Sequence, residues 1–303
     1  MDLRDKKILV TGGNGFLGRH VVRNLIEKRG VPAKNIIIPR STEHDLAIQS
    51  EAEKVIQGID VVIHLAALSV SVASAIGPAT VLYRNTVMGL NLLEASRKAD
   101  VKKFVSIGSA NEYPHNAPMP LKEESLWTGM PDSGLFAYSI SKKVMDLAVQ
   151  SYQKEFGFKA IHLIMTSMYG PGAGNASGLV PTLIRQIRKA KEEGLSHIVG
   201  WGSGNATRDF LYVKDAAEGI VLAAEAYDKD GAVNIATGRE APVRELMETL
   251  CRLMSFEGGI QWDPTKPEGQ LRYVLDATRA KAEFGFEAAT SLQEGLKATV
   301  AEL

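Results

Sequence analysis

A single cysteine in 303 residues, Cys251, excludes an internal disulfide and a cysteine-rich zinc centre. Its neighbours Leu250 and Leu253 predict a buried structural thiol rather than a reactive one. Net charge is missing too: Lys plus Arg and Asp plus Glu are both 35. No bulk field therefore favours nucleic acid or an acidic membrane as partner. No apolar run is long enough to span a bilayer. The opening Met1-Asp2-Leu3-Arg4-Asp5 lacks a signal peptide's apolar stretch. Low-complexity linkers and internal repeats are absent. What remains as the expectation is a cytoplasmic globular enzyme, long enough for one large α/β unit or two lobes.

The most informative stretch is Lys7-Ile8-Leu9-Val10-Thr11-Gly12-Gly13-Asn14-Gly15-Phe16-Leu17-Gly18. A short apolar run ends in glycines, and an amphipathic stretch with Val21, Val22, Leu25 and Ile26 follows. This reads as strand, tight turn, helix. Gly12, Gly13 and Gly15 are expected to reach positive φ and bring bare backbone against a ligand. Gly18 is expected to let the helix lie close on the sheet. The new helix aims unpaired N–H groups and its positive dipole end at the turn, where a pyrophosphate fits. The spacing matches the dinucleotide fingerprint, and its place between strand and helix supports that reading.

Further strands are expected at 36–40, 61–67, 104–109 and 160–165, with helices at 51–58, 78–99 and 138–156. On the 78–99 helix Val81, Leu82, Asn85, Leu92, Leu93 and Ala95 form the expected inner face. The run Val61-Val62-Ile63-His64-Leu65-Ala66-Ala67 is almost uniformly apolar, as in a parallel sheet covered on both faces. Alternating strands and helices predict a Rossmann-type doubly wound parallel α/β sheet. After Tyr169-Gly170-Pro171-Gly172 a glycine- and asparagine-rich loop leads to a basic helix at 180–193. Short strands follow near 197–199 and 210–213, then helices at 215–227 and 242–254. The segment 232–236 is expected to rejoin the main sheet. The predicted partition is a dinucleotide-binding domain, 1–170 plus 201–238, and a smaller discontinuous lobe, 171–200 plus 239–303.

Tyr138-Ser139-Ile140-Ser141-Lys142 supplies the second motif. Residues four apart share a helix face. An ammonium one turn beyond a phenol can lower the phenol's pKa, making it an acid or base for a carbonyl/alcohol pair. Ser109 ends the strand at 104–109, where ligands gather in such sheets, and its hydroxyl can bond the same substrate oxygen. Ser109, Tyr138 and Lys142 behind a dinucleotide turn are the parts needed for hydride exchange with a nicotinamide.

These motifs resemble the extended short-chain dehydrogenase/reductases acting on nucleotide sugars, the epimerase/dehydratase family, nearly end to end. The resemblance rests on 11–18, His64-Leu65-Ala66-Ala67, Asn85, Ser109, Tyr138/Lys142, Tyr169-Gly170-Pro171, Trp201-Gly202-Ser203-Gly204, Arg208-Asp209-Phe210 and Lys266-Pro267-Glu268-Gly269. The pattern is most similar to the GDP-L-fucose synthase branch, NADPH-dependent 3,5-epimerases and 4-reductases. The resemblance implies that Tyr138 protonates the C4 oxygen with Lys142 and Ser109 assisting, and that Lys142 holds the nicotinamide ribose. It implies Leu65, Ala66, Ala67 and Asn85 beside the cofactor and Asp45-Leu46 around the adenine. It places Arg185, Trp201, Arg208 and Lys266 near a nucleotide diphosphate, and Asn111, Ser167 and Val180 near the sugar. An arginine fork suits a diphosphate, although Arg185, with Arg188, Lys189 and Lys191, equally fits a solvated basic face. The family's paired helices, here 78–99 and 138–156, imply a homodimer through a four-helix bundle.

An acidic residue after the second strand would select NAD through the ribose 2′-hydroxyl. Pro39-Arg40-Ser41-Thr42 stands there instead, and a cation with two hydroxyls suits the 2′-phosphate of NADP. Glu43 and Asp45 lie close by. NADP(H) is the expected cofactor, with NAD(H) left open.

The sequence departs from the fucose-synthase branch at the residues that exchange protons on carbon. The branch's cysteine, two residues past the strand-end serine, is Asn111 here. Its histidine before the Val-x-Pro helix start is Gly178. Neither can do acid–base work at carbon. The Asp-Glu pair of the family's dehydratases is replaced by Ala110-Asn111, with Glu112 one residue late and expected to point away. Ser167 stands where an asparagine is usual. The readings left are a dedicated 4-keto reductase, a C4 epimerase with tightly bound NAD, and a non-catalytic cofactor-binding relative.

Overall fold

Five short apolar runs and one later return build the central sheet. The structure is a computed structural model that describes residues 1–69, 75–173 and 178–302. The strands are β1 (Ile8–Thr11), β2 (Ile36–Ile37), β3 (Val61–His64), β4 (Lys103–Ser109), β5 (Ala160–Met165) and β6 (Val233–Ile235). They lie in the order β6-β5-β4-β3-β1-β2, and every pair is parallel. The chain runs outward from β1 to β2 and then restarts at β3 on the other side of β1. That reversal leaves a crevice at the carboxyl ends of β1 and β3, where ligands bind in such sheets.

Strand periodicity sorts the core into two layers. Ile8, Val10, Val61 and Ile63 face Val21 and Leu25 of helix α1 (Phe16–Glu27) and a later helix containing Ile220 and Val221. Leu9, Val62 and Phe104 face the opposite way. They meet α2 (Gln49–Val55), Leu92 and Leu93 of α3 (Pro78–Lys98), and Met145 and Val149 of α4 (Phe136–Phe156). Burying a side chain of this size contributes about 1.5–3 kcal/mol. Gly89 lets α3 and α4 approach, because a Cβ there would overlap the Met145 sulfur.

A second core forms around α5 (Leu179–Glu192) and a helix at Val243–Leu253. Leu183, Ile184 and Ile187 pack on Leu246, Met247 and Leu250, with Tyr169, Phe210 and Tyr212 closing the side toward the main sheet. Cys251 is buried here, and burial pushes its thiol's pKa upward. Beside it the strand His197–Trp201 pairs in parallel with Gly259–Asp263. Not all of the 239–303 segment stays with this core: Ala280, Phe284 and Phe286 pack under the main sheet with Ile220.

Several expectations are corrected. The second strand stops at Ile37, two residues before Pro39, which has no N–H to give a ladder. The third ends at His64, where the chain turns across β1: Leu65 N–H donates to Thr11 O at 3.2 Å and Ala66 N–H to Thr11 Oγ1 at 3.2 Å. Leu82 points outward and is 38 % exposed. Of the three turn glycines only Gly12 takes positive φ, at 70°. Part of the glycine- and asparagine-rich loop, 174–177, lies outside the described residues. No helix among the described residues is long and apolar enough to cross a membrane.

Candidate active site

The turn after β1 is shaped by what a Cβ would strike. At Gly12 it would meet Ala66 N at 2.9 Å, at Gly13 Ile38 Cγ2 at 2.8 Å, and at Gly18 it would overlap the Gly12 carbonyl oxygen. Gly13 therefore serves close packing rather than backbone freedom. Gly15 has extended φ of −75° and is the N-cap of α1, without a side-chain cap. The first N–H groups of α1 stay available to an anion. Gly15, Phe16 and Leu17 line a cleft of about 800 Å³. Asn14 is exposed beside it. Arg19 Nη2 donates to Gly172 O at 2.9 Å, and His20 Nε2 lies 3.0 Å from Pro171 O. These bonds tie α1 to the start of the loop that leads into the second core.

Leu65 and Ala67 line the same cleft, whereas Ala66 backs the glycine turn. Asn85 is buried on α3: Leu68 N–H donates to its Oδ1 at 2.8 Å, and its Nδ2 donates to Leu68 O at 3.1 Å and Ser141 Oγ at 3.4 Å. It acts on the cleft through the loop after β3. Arg40 is exposed, and its carbonyl accepts from His44 N–H at 2.8 Å. Asp45 accepts from Ala47 N–H at 3.1 Å and pairs with Arg84 Nη2 at 2.8 Å. Those bonds hold its carboxyl below the usual range. The Leu46 side chain turns into the core.

Ser109, Tyr138 and Lys142 converge on the cleft from the end of β4 and the first turns of α4. Ser141 Oγ donates to Tyr138 O at 2.6 Å, and Lys142 Nζ donates to Ile107 O at 2.7 Å. Burial and the nearby Glu112 carboxylate push the Tyr138 phenol up to about 12, opposed by its hydrogen bond with Ser109. Burial brings the Lys142 ammonium down to about 8, while Glu112 works against that. The expected downward pull of Lys142 on the phenol is not what sets its pKa: burial and Glu112 raise it, and the opposing influence is Ser109. At neutral pH the Tyr138 phenol therefore carries its proton. Behind them His64 Nδ1 lies 2.8 Å from Thr11 Oγ1, and burial, with Lys142's charge, lowers the imidazole to about 3.

Glu112 does not point away. It is buried under Ser109, accepting Ser109 N–H at 2.6 Å. Asn111, Ser167 and Val180 line the cleft, joined by Thr166, Met168, Gly178, Phe210 and Tyr273. A second cavity of about 420 Å³ adjoins it and shares Gly178 and Leu179. Trp201 and Arg208 line that cavity with Thr182, Gln186, Pro267 and Glu268. Trp201 is 61 % exposed. Arg208 is anchored by carbonyls, donating to Gln270 O at 2.7 Å and Thr207 O at 2.8 Å, and burial lowers its pKa. Arg185 and Lys266 line neither cavity; Arg185 Nη2 donates to Thr182 Oγ1 at 3.1 Å. The sequence motifs missed Arg84, Tyr273 and the cavity face of Glu268. Tyr273 arrives through a two-residue strand, Arg272–Tyr273, paired with Thr207–Arg208, a signal too short to read in advance.

A doubly wound sheet whose strand ends present a glycine turn, a serine and a Tyr-x-x-x-Lys helix defines the dinucleotide-dependent short-chain enzymes. Within that class the chain belongs to the NAD dependent epimerase/dehydratase family, whose model matches residues 8–236. A GDP-L-fucose synthase of Sinorhizobium fredii is 33% identical over 300 residues, covering 97% of this chain and 94% of that one. Among solved structures, a GDP-L-fucose synthetase from Naegleria fowleri superposes with a TM-score of 0.89 at 25% identity, over 99% and 93% of the two chains. A GDP-mannoheptose C4 reductase from Campylobacter jejuni with NADP bound gives 0.88 at 25% identity, over 98% of each.

Proposed function

We propose that this protein is an NADPH-dependent reductase of a GDP-linked 4-keto sugar, acting at C4 without epimerising C3 or C5. The carrying observation is the contrast on one cleft: Ser109, Tyr138 and Lys142 are assembled, while Asn111 and Gly178 occupy the lining positions where acid–base groups for carbon would be needed. An amide and a hydrogen cannot shuttle protons there.

The glycine turn fits a dinucleotide: Gly18 and Gly13 have no room for a Cβ, and the N-terminus of α1 opens into the cleft uncapped. Gly15, Phe16 and Leu17 would hold the pyrophosphate, Leu65 and Ala67 would flank the rings, and Lys142 would bond the nicotinamide ribose. When bound, the cofactor supplies a hydride to C4. The chain's own part is the proton. Tyr138 gives its phenolic hydrogen to the C4 oxygen, Ser109 donates a hydrogen bond to that oxygen, and Lys142 stabilises the phenolate left behind. NADP over NAD is supported by Arg40 and by Arg84 occupying Asp45, which removes the free carboxylate that would repel a 2′-phosphate. The second cavity suits the nucleoside diphosphate, with Arg208 as its cation and Trp201 as a stacking face.

The same reading takes the enzyme to be a cytoplasmic homodimer, with α3 and α4 of each copy in a four-helix bundle. Their exposed Tyr83 and Leu147, at 63 % and 53 %, would be covered there. The test is turnover in deuterium oxide with a GDP-4-keto-6-deoxyhexose, followed by absorbance and NMR. One NADPH is expected to be oxidised per sugar reduced, with no deuterium at C3 or C5. Deuterium at those carbons would restore the epimerase-reductase. Interconversion of two sugars without net NADPH use would make the enzyme a C4 epimerase.

A further inference from the structure

Beneath the strand end that carries Ser109 lies an acid–base pair that the proposed reduction leaves unused. Glu112 and His162 are both fully buried, and His162 Nε2 donates to Glu112 Oε2 at 3.1 Å. Glu112 comes from the short turn of helix Ala110–Glu112, His162 from the middle of β5. His162 Nδ1 lies 3.2 Å from Ser106 Oγ on β4. The pair exists because residue 108 is glycine: a Cβ there would overlap both His162 Nε2 and Glu112 Oε1. Taking two ionisable groups out of water is a poor route to stability, since apolar residues of similar volume often serve as well or better. A pair retained in this place calls for another role.

Glu112 makes a second bond that reaches the reaction. Its Oε1 accepts Ser109 N–H at 2.6 Å, and Ser109 Oγ in turn accepts the Glu112 N–H, closing a capping box, as well as Asn111 N–H at 3.3 Å. With its oxygen turned toward backbone N–H groups, the Ser109 hydroxyl has its hydrogen left to donate outward. The carboxylate is also felt by Lys142, Lys143 and Tyr138 from α4, by Tyr113 after its own turn, and by Tyr273 across the cleft. His162 is a further titratable group packed against it.

We propose that Glu112, held by His162, is a positioning residue for the active site: it fixes the Ser109 hydroxyl as a donor into the cleft, and from a turn packed against α4 it presents a carboxylate to the helix that carries Lys142. The arm through Ser109 rests on the reductase reading above, whereas the arm through Lys142 can be read in the free protein. Burial works to discharge Lys142, and Glu112 is the group that opposes it.

The test uses the full chain carrying Glu112→Gln, which keeps shape and a hydrogen-bond acceptor but removes charge. Competitive acetylation of Lys142 by acetic anhydride across pH, read by mass spectrometry, needs no substrate. The midpoint is expected to drop by about one pH unit against the unsubstituted protein, and the alkaline limb of kcat to move with it. An unmoved Lys142 midpoint overturns the electrostatic arm. Glu112→Asp keeps the charge but shortens the reach to Ser109 by one methylene. It is expected to leave the midpoint within about 0.3 units and to lower kcat about tenfold with KM little changed. Full kcat in Glu112→Asp overturns the positioning arm, and this variant carries the test if Glu112→Gln does not fold. Failure of the unsubstituted protein to reduce any 4-keto nucleotide sugar would instead sink the reductase reading, with the Lys142 titration still decisive for the charge.

Discussion

The floor of the cleft, from β1, β3, β4 and α4, differs in kind from its far wall, from the second core. On the floor, Thr11 meets His64, Lys142 meets Ile107, and Ser109 meets Glu112 and Asn111, each through a hydrogen bond of defined geometry. On the wall, Ser167 and Gly178 line the cleft, and the adjoining cavity is framed by Trp201, Arg208 and Glu268. On the proposed reading, the floor would handle an event common to any carbonyl reduction: a proton delivered opposite a hydride. The wall would then meet the part of the ligand that varies. One region is pre-set by packing, and the other can change its side chains without disturbing the sheet.

That contrast can be broken most forcefully at Tyr138. Tyr138→Phe is expected to lower kcat by about 10³-fold, with NADPH binding, measured by fluorescence titration, retained. Unchanged turnover would mean that the floor holds the cofactor but does no chemistry. Arg208→Lys sharpens the wall. Losing the planar fork should raise KM for the nucleotide sugar about tenfold while kcat stays within about threefold, and steady-state kinetics separates the two. A matching loss in kcat would move Arg208 into the reacting centre.

The smallest effect concerns stability. His64 is held neutral in the fold, with its pKa lowered to about 3. The unfolded chain titrates near 6.5, so between these values it binds the extra proton and stability declines as pH drops. From pH 7 to pH 5 this group should remove about 2 kcal/mol. His64→Gln should lack that increment, as the difference in chemical denaturation between wild type and variant at the two pH values. Equal acid sensitivity would show that the floor does not depend on a neutral imidazole.

Much of the floor was legible because its signals are local. Ile8–Thr11 followed by glycines, the helix bearing Tyr138 and Lys142, and the return of 232–236 to the sheet each occupy one contiguous stretch. What stayed hidden depends on partners distant in sequence. Gly13 reads as a flexible turn residue, yet its requirement comes from Ile38. Glu112 looks misplaced by one position because its partner, His162, lies 50 residues on, on the next strand. Leu82 fits the apolar stripe of α3 but falls on its outer side. Tyr273 and Arg208 meet through two-residue strands, too brief for any periodicity to mark.

Asn85 couples parts of the molecule that an engineer would wish to treat separately. Its amide grips both ends of the Leu68 peptide and reaches Ser141, whose hydroxyl is bonded to the Tyr138 carbonyl. A redesign of residues 65–69 aimed at exchanging one redox carrier for another would therefore tug on the helical turn that aims the phenol. The loop after β3 and the turn bearing Tyr138 are mechanically linked in this scaffold, and a library that varies that loop should hold Asn85 and Ser141 constant.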